Sequence, residues 1–181
     1  NLELSANRNT MQTSGTFIGI DIRGKSNVNV LSSTINGTGG NTGANNHGIS
    51  ITDQSNMTSL NDFTINGSGG SANGNRNIGI NVIDSNITSN NGNISVTGFG
   101  GGSDTSNNNR GVYLQKSSIN ARANNYIEGT GGASSTDSFN IGVQLVEEGS
   151  LIGSSDGNIV VIGTGSGIGS NNYGVFVVNG S

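Results

Sequence analysis

Six times along the chain a glycine opens a short run in which aliphatic and variable residues alternate. The runs are Gly19-Ile20-Asp21-Ile22, Gly48-Ile49-Ser50-Ile51, Gly79-Ile80-Asn81-Val82, Gly111-Val112-Tyr113-Leu114, Gly142-Val143-Gln144-Leu145 and Gly174-Val175-Phe176-Val177. A period of two is the signature of a strand with one buried face. The opening glycines lie 29, 31, 32, 31 and 32 residues apart, by subtraction of their numbers. Spacing of that regularity identifies an array of one structural unit. A second apolar pulse follows each run, at Val28 and Val30, Met57, Ile87, Ile119 and Leu151. A third comes at Ile35, Phe63 with Ile65, Ile94 with Val96, Ile127, and Ile159 with Val161, and runs into Gly37-Thr38-Gly39-Gly40 and its counterparts. A polar loop rich in Asn then returns to the next opening glycine.

This pattern predicts an all-β chain with three short strands in each ~31-residue coil. The turns are too short for the strands of one coil to pair with one another. Stacking solves the problem, because each strand then pairs in parallel with its equivalent ~4.8 Å above and below. The result is a parallel β-helix of five to six coils, ~25–30 Å long, read as a single solenoid segment over residues 1–181. Ile20, Ile49, Ile80, Val112, Val143 and Val175 are expected to form one column. The chain opens inside a third strand (Leu2, Leu4) and stops after a first strand, with no amphipathic cap in view. That reads as a fragment of a longer array, or as a unit whose copies associate end to end.

Composition sharpens the picture. The 32 glycines and the 10% of charged residues resemble a disordered linker, yet the net charge is only −4 and the apolar residues are periodic. The lack of proline suits strands with a ladder on both sides. The lack of cysteine removes disulfides, thiolate metal sites and thiol catalysis together. Seven scattered Lys and Arg form no basic stripe for nucleic acid, and no apolar run is long enough to span a membrane.

The turn before the second strand carries Asn27, Asn56 and Asn86, followed by Ser118 and Ser150. Stacked amides one coil apart hydrogen-bond along the axis and satisfy turn backbone, so these five residues are expected to form a structural ladder. In that arrangement Asn56 and Asn86 turn inward, while Asn36 and Asn66 face out.

Ile94-Ser95-Val96-Thr97-Gly98-Phe99-Gly100-Gly101, with Asn108-Asn109-Arg110-Gly111-Val112-Tyr113-Leu114 after it, resembles the repeats of filamentous-haemagglutinin-like adhesins. The resemblance covers Gly19 to Val177. It implies a right-handed β-helix on the surface of a bacterium or secreted from it, acting as a rigid stalk, an extracellular fibre or an attachment module. A glycan or cell-surface receptor is the partner such a role implies.

Catalytic candidates are few, and no catalytic, cofactor-binding or metal-binding residue is assigned. Asp53 and Asp84 share a place after the first strand, and Lys116 and Glu147 continue that row. Converging carboxylates there would suit a polysaccharide lyase or hydrolase, the alternative function on this scaffold. A solvated edge of loosely neutralising charges is the simpler reading. Gly100-Gly101-Gly102-Ser103-Asp104 resembles one unit of a calcium-binding nonapeptide, but the tandem partner is missing, and Asp137 lacks the glycine spacing. His47, the sole histidine, reads as a solvent-facing loop residue. The outward pairs of the third strand, Thr34 and Asn36 through Val160 and Ile162, lose the threonine regularity an ice-binding array needs. Asn-x-Ser/Thr sequons fall at Asn36, Asn56, Asn66, Asn86, Asn93 and Asn179. Tyr113 and Phe176 are predicted to point outward two coils apart with Gln144 between them, and Phe99 lies beside the third strand. These three aromatics are the candidates for surface contact with sugar or another fibre.

Overall fold

The computed structural model describes residues 1–7, 14–103, 105–132 and 138–178. Its strands are β1 (Leu2–Ala6), β2 (Ile20–Ile22), β3 (Asn27–Val30), β4 (Ser33–Thr38), β5 (Ile49–Ile51) and β6 (Asn56–Ser59). There follow β7 (Phe63–Ser68), β8 (Ile80–Ile83), β9 (Asn86–Ser89), β10 (Ile94–Phe99), β11 (Val112–Gln115) and β12 (Ser118–Ala121). The last five are β13 (Asn125–Thr130), β14 (Val143–Val146), β15 (Leu151–Ser154), β16 (Ile159–Thr164) and β17 (Val175–Val178). There is no helix among the described residues.

Every third strand pairs in parallel, which sorts the chain into three sheets. The first-strand sheet runs β2-β5-β8-β11-β14-β17, the second-strand sheet β3-β6-β9-β12-β15, and the third-strand sheet β1-β4-β7-β10-β13-β16. This is a β-solenoid of about five turns with ~31 residues in each. Ile20, Ile49, Ile80, Val112, Val143 and Val175 stand in one unbroken row. A second row joins Leu4, Ile35, Ile65, Val96, Ile127 and Val161. Both rows point into a single core with Met57, Phe63, Ile87, Ile94 and Ile119. In β17 Val175 and Val177 are 45% and 54% exposed.

Glycines let the sheets meet tightly at the corner between third and first strands. A Cβ added at Gly98 would collide with the carbonyl oxygen of Gly111, and a Cβ on Gly111 would strike the backbone of Thr130 and Gly142. Backbone occupies the space of a side chain there. The Gly-Thr-Gly-Gly pattern is therefore a packing requirement.

The second-strand sheet departs from expectation in its last coil. Ile152, not Leu151, pairs with Ile119 and packs against the core, whereas Leu151 pairs with Ser118 and is 51% exposed. The reason is turn length. The second strand begins 8 residues after the opening glycine in the first two coils (27−19, 56−48), 7 in the next two (86−79, 118−111), and 9 in the fifth (151−142). The longer turn holds Glu147, Glu148 and Gly149, and a one-residue slip exchanges inner and outer faces.

Candidate interaction face

The expected ladder forms, with two corrections. Asn56 Nδ2 donates to Asn27 Oδ1 at 3.2 Å, Asn86 Nδ2 to Asn56 Oδ1 at 3.1 Å, and Ser118 Oγ to Asn86 Oδ1 at 2.6 Å. These side chains project outward, not inward, because Met57 and Ile87 take the alternate, inner positions. Ser150 is not a member, since Leu151 occupies the place after Ser118. By register it aligns with the buried row one residue earlier, its own hydroxyl donating to Val146 O at 2.5 Å. In that row the backbone N–H groups of Ser26, Ser55 and Ser85 each donate, at 3.1 Å, to the hydroxyl oxygen of Ser55, Ser85 and Ser117 respectively.

A second asparagine row, inside the return loops, escaped the sequence reading. Phe17 N donates to Asn46 Oδ1 at 2.9 Å, Asn46 N to Asn77 Oδ1 at 3.1 Å, Asn77 N to Asn109 Oδ1 at 2.9 Å, Asn109 N to Asn140 Oδ1 at 3.1 Å, and Asn140 N to Asn172 Oδ1 at 2.9 Å. Asn46, Asn77, Asn109 and Asn140 are fully buried. The signal was available, because these asparagines each stand two residues before an opening glycine.

This row fixes the residue that follows it, which packs beside the outer face of the first-strand sheet. Arg110 lies with its guanidinium 4.8 Å from the centre of the Tyr113 ring. Tyr173 stacks on Phe176 with ring centres 4.8 Å apart and planes 11° apart. In register, Tyr113, Gln144 and Phe176 are successive neighbours across β11, β14 and β17. The predicted proximity of Tyr113, Gln144 and Phe176 is therefore present. The same row in earlier coils carries the smaller Asp21, Ser50 and Asn81, so the face changes character along the axis. Phe99 is 47% exposed but belongs to the third-strand sheet and is not part of this face.

Polar contacts hold the face in place. Arg110 Nε donates to Gln144 Oε1, and its Nη2 donates to Asn108 Oδ1 at 3.0 Å. The Tyr113 hydroxyl donates to Gln115 Oε1 at 3.1 Å, and Gln115 Nε2 donates to Glu147 Oε1. Burial, opposed by the Tyr113 contact and reinforced by Arg76, lowers the Arg110 pKa to about 10. Burial likewise raises that of Tyr113. His47 is a correction to the expectation of a solvent-facing loop residue. It is only 6% exposed, its Nδ1 accepts the backbone N–H of Ile78 at 3.3 Å, and its pKa falls to about 4, through burial first and the Arg76 charge second.

The acidic row stays an edge of the column. Lys116 Nζ pairs with Glu147 Oε2 at 3.3 Å, both side chains partly or largely exposed. Asp53 and Asp84 border a shallow open hollow with Lys25 and Gln54. No cluster of three or more metal-ligating His, Asp or Glu exists among the described residues. Asp104, Asp137 and Asn179 lie outside the described residues. Asn36 and Asn66 face out and are joined by a 2.9 Å hydrogen bond. Comparison with protein-family models, curated proteins and solved structures gave no match.

Proposed function

We propose that the chain is a non-catalytic, load-carrying segment of a bacterial surface or secreted protein, a stalk or extracellular fibre that presents adhesive surface along its side. The observation that carries this reading is the in-register stacking of all three sheets, reinforced by side-chain rows running the same way. Force along the axis loads many parallel ladder bonds and an interdigitated aliphatic core together. A weakly charged Asn, Ser and Thr exterior stays hydrated without strong electrostatic steering. The resemblance of Ile94–Leu114 to filamentous-haemagglutinin-like repeats points the same way. Association of copies end to end would extend the column into a fibre.

Immunogold labelling of intact, unpermeabilised cells with antibody against the folded chain tests the proposal. Gold on the cell exterior, along rods or fibres, is expected. Labelling that appears only after the envelope is opened would remove the stalk reading. Negative-stain images of the purified chain separate single columns from filaments.

A further inference from the structure

The repeat is broken most strongly on the outer face of the first-strand sheet, from the third coil to the sixth. In the other coils the residue before the opening glycine is Ile18, His47, Ile78 or Ile141, and the outward residue two places after that glycine is Asp21, Ser50, Asn81 or Gln144, none of them aromatic. Here Arg110 lies over Tyr113, and Tyr173 lies over Phe176, two coils along. In a repeat array, the coils that break the pattern are where a ligand face is expected.

The chemistry of that face is selective. Among the described residues Arg110 donates only to neutral oxygens, those of Asn108 and Gln144. Arg76, one coil earlier, is exposed and has no carboxylate partner among the described residues. Two guanidinium groups that repel one another, on a chain of net charge −4, are neutralised best by an anion from outside. The Tyr173–Phe176 pair supplies a flat apolar platform, and Tyr173 is 40% exposed. The span from the third coil to the sixth is about 14 Å at the rung spacing of a sheet, room for a short run of linked sugar rings. β8, β11 and β14 are paired on both sides, so a peptide finds no edge to extend along the part of this face that carries Tyr113, and β17 is paired on one side only. Two cations are also too few to hold a nucleic acid.

We propose that this face binds an acidic glycan, whose carboxylate or sulfate meets Arg76 and Arg110 while its sugar rings lie against Tyr113 and the Tyr173–Phe176 pair. The site does not depend on the chain being a stalk.

Calorimetric titration of the full chain with three probes tests it: an oligogalacturonate, a heparin fragment and a neutral cello-oligosaccharide. Saturable binding of at least one acidic probe is expected, weakening with added salt, with the neutral probe bound at least tenfold less tightly. Arg76→Gln and Tyr173→Ala sit at exposed positions and should each weaken it about tenfold or more, as loss of one charged hydrogen bond or one platform predicts, with the melting temperature unchanged. Whichever acidic probe binds identifies the acid group. Absence of binding to both, equal affinity for the neutral probe, or indifference to Arg76→Gln would overturn the proposal. A chain displayed on the cell surface that binds neither acidic probe loses this site and keeps its structural role.

Discussion

The side-chain oxygen of Asn109 accepts the backbone N–H of Asn77, 32 residues earlier in the chain, at 2.9 Å. The same side chain donates to Ser106 O at 2.7 Å and Ser106 Oγ at 2.8 Å, all in a site without solvent access. A buried backbone donor has no substitute once such a partner is removed. Asn109→Ala should therefore cost about 2–4 kcal/mol in a urea titration. Asn86→Ala, which removes an outward ladder member bonded to Asn56 and Ser118, should cost less than about 1 kcal/mol. Equal costs for the two would show that the buried row has no special weight.

Gly98 touches Gly111 where the third-strand sheet meets the first, and a methyl group at position 98 would enter the Gly111 carbonyl. Overpacking against backbone cannot be relieved by a rotamer change. Gly98→Ala should destabilise by about 1–3 kcal/mol or prevent folding of the coil. A lowered urea midpoint with unchanged far-ultraviolet dichroism is the expected result, and a wild-type midpoint would remove the packing argument.

Much of the scaffold was legible because the two-residue period and the 29–32-residue repeat are both carried by Ile20, Ile49, Ile80 and Val112, whose spacing leaves one way to stack. The fifth coil was not legible in the same way. Its turn from Glu147 to Ser150 is longer, and apolar identity alone does not tell Leu151 from Ile152. The buried asparagine row was missed for a different reason. A polar residue in a polar loop gives no periodic contrast, although its fixed distance from each glycine did. On the candidate face, Tyr113 and Phe176 followed from strand alternation, whereas the packing of Arg110 and Tyr173 over them depends on the loop path.

The register of that last coil yields its own prediction. Leu151 faces solvent and Ile152 packs against the core. Leu151→Ser should change stability by no more than about 0.5 kcal/mol, and Ile152→Ser should cost about 1–3 kcal/mol. Thermal melts of the pair decide between the two alignments, and the reverse ordering would restore the one read from the sequence.

Ile80 is fully buried between Ile49 and Val112 in the first-strand column. Ile80→Ala should cost about 2–5 kcal/mol. Because each coil touches only its neighbours, the loss should be felt locally. Hydrogen exchange should accelerate in β5, β8 and β11 while β1 and β17 keep their rates. Uniform acceleration throughout would mean that the column unfolds as one cooperative body.

His47 gives the column a dependence on acidity. Its pKa is about 4 in the folded chain against 6.5 in the unfolded chain, because burial and then Arg76 disfavour the imidazolium. Between those values the unfolded chain binds more protons, so stability falls as pH drops through 6.5 and levels off for this group below about 4. The full effect is about 3 kcal/mol at 1.36 kcal/mol for each pH unit. His47→Gln keeps an oxygen able to accept the Ile78 N–H but cannot titrate. Melting temperatures of wild type and variant should therefore lie closest at neutral pH and diverge toward pH 4, where wild type falls below the variant, with carboxylate titration common to both. Parallel curves across that range would show that protonation of His47 is not resisted by the fold.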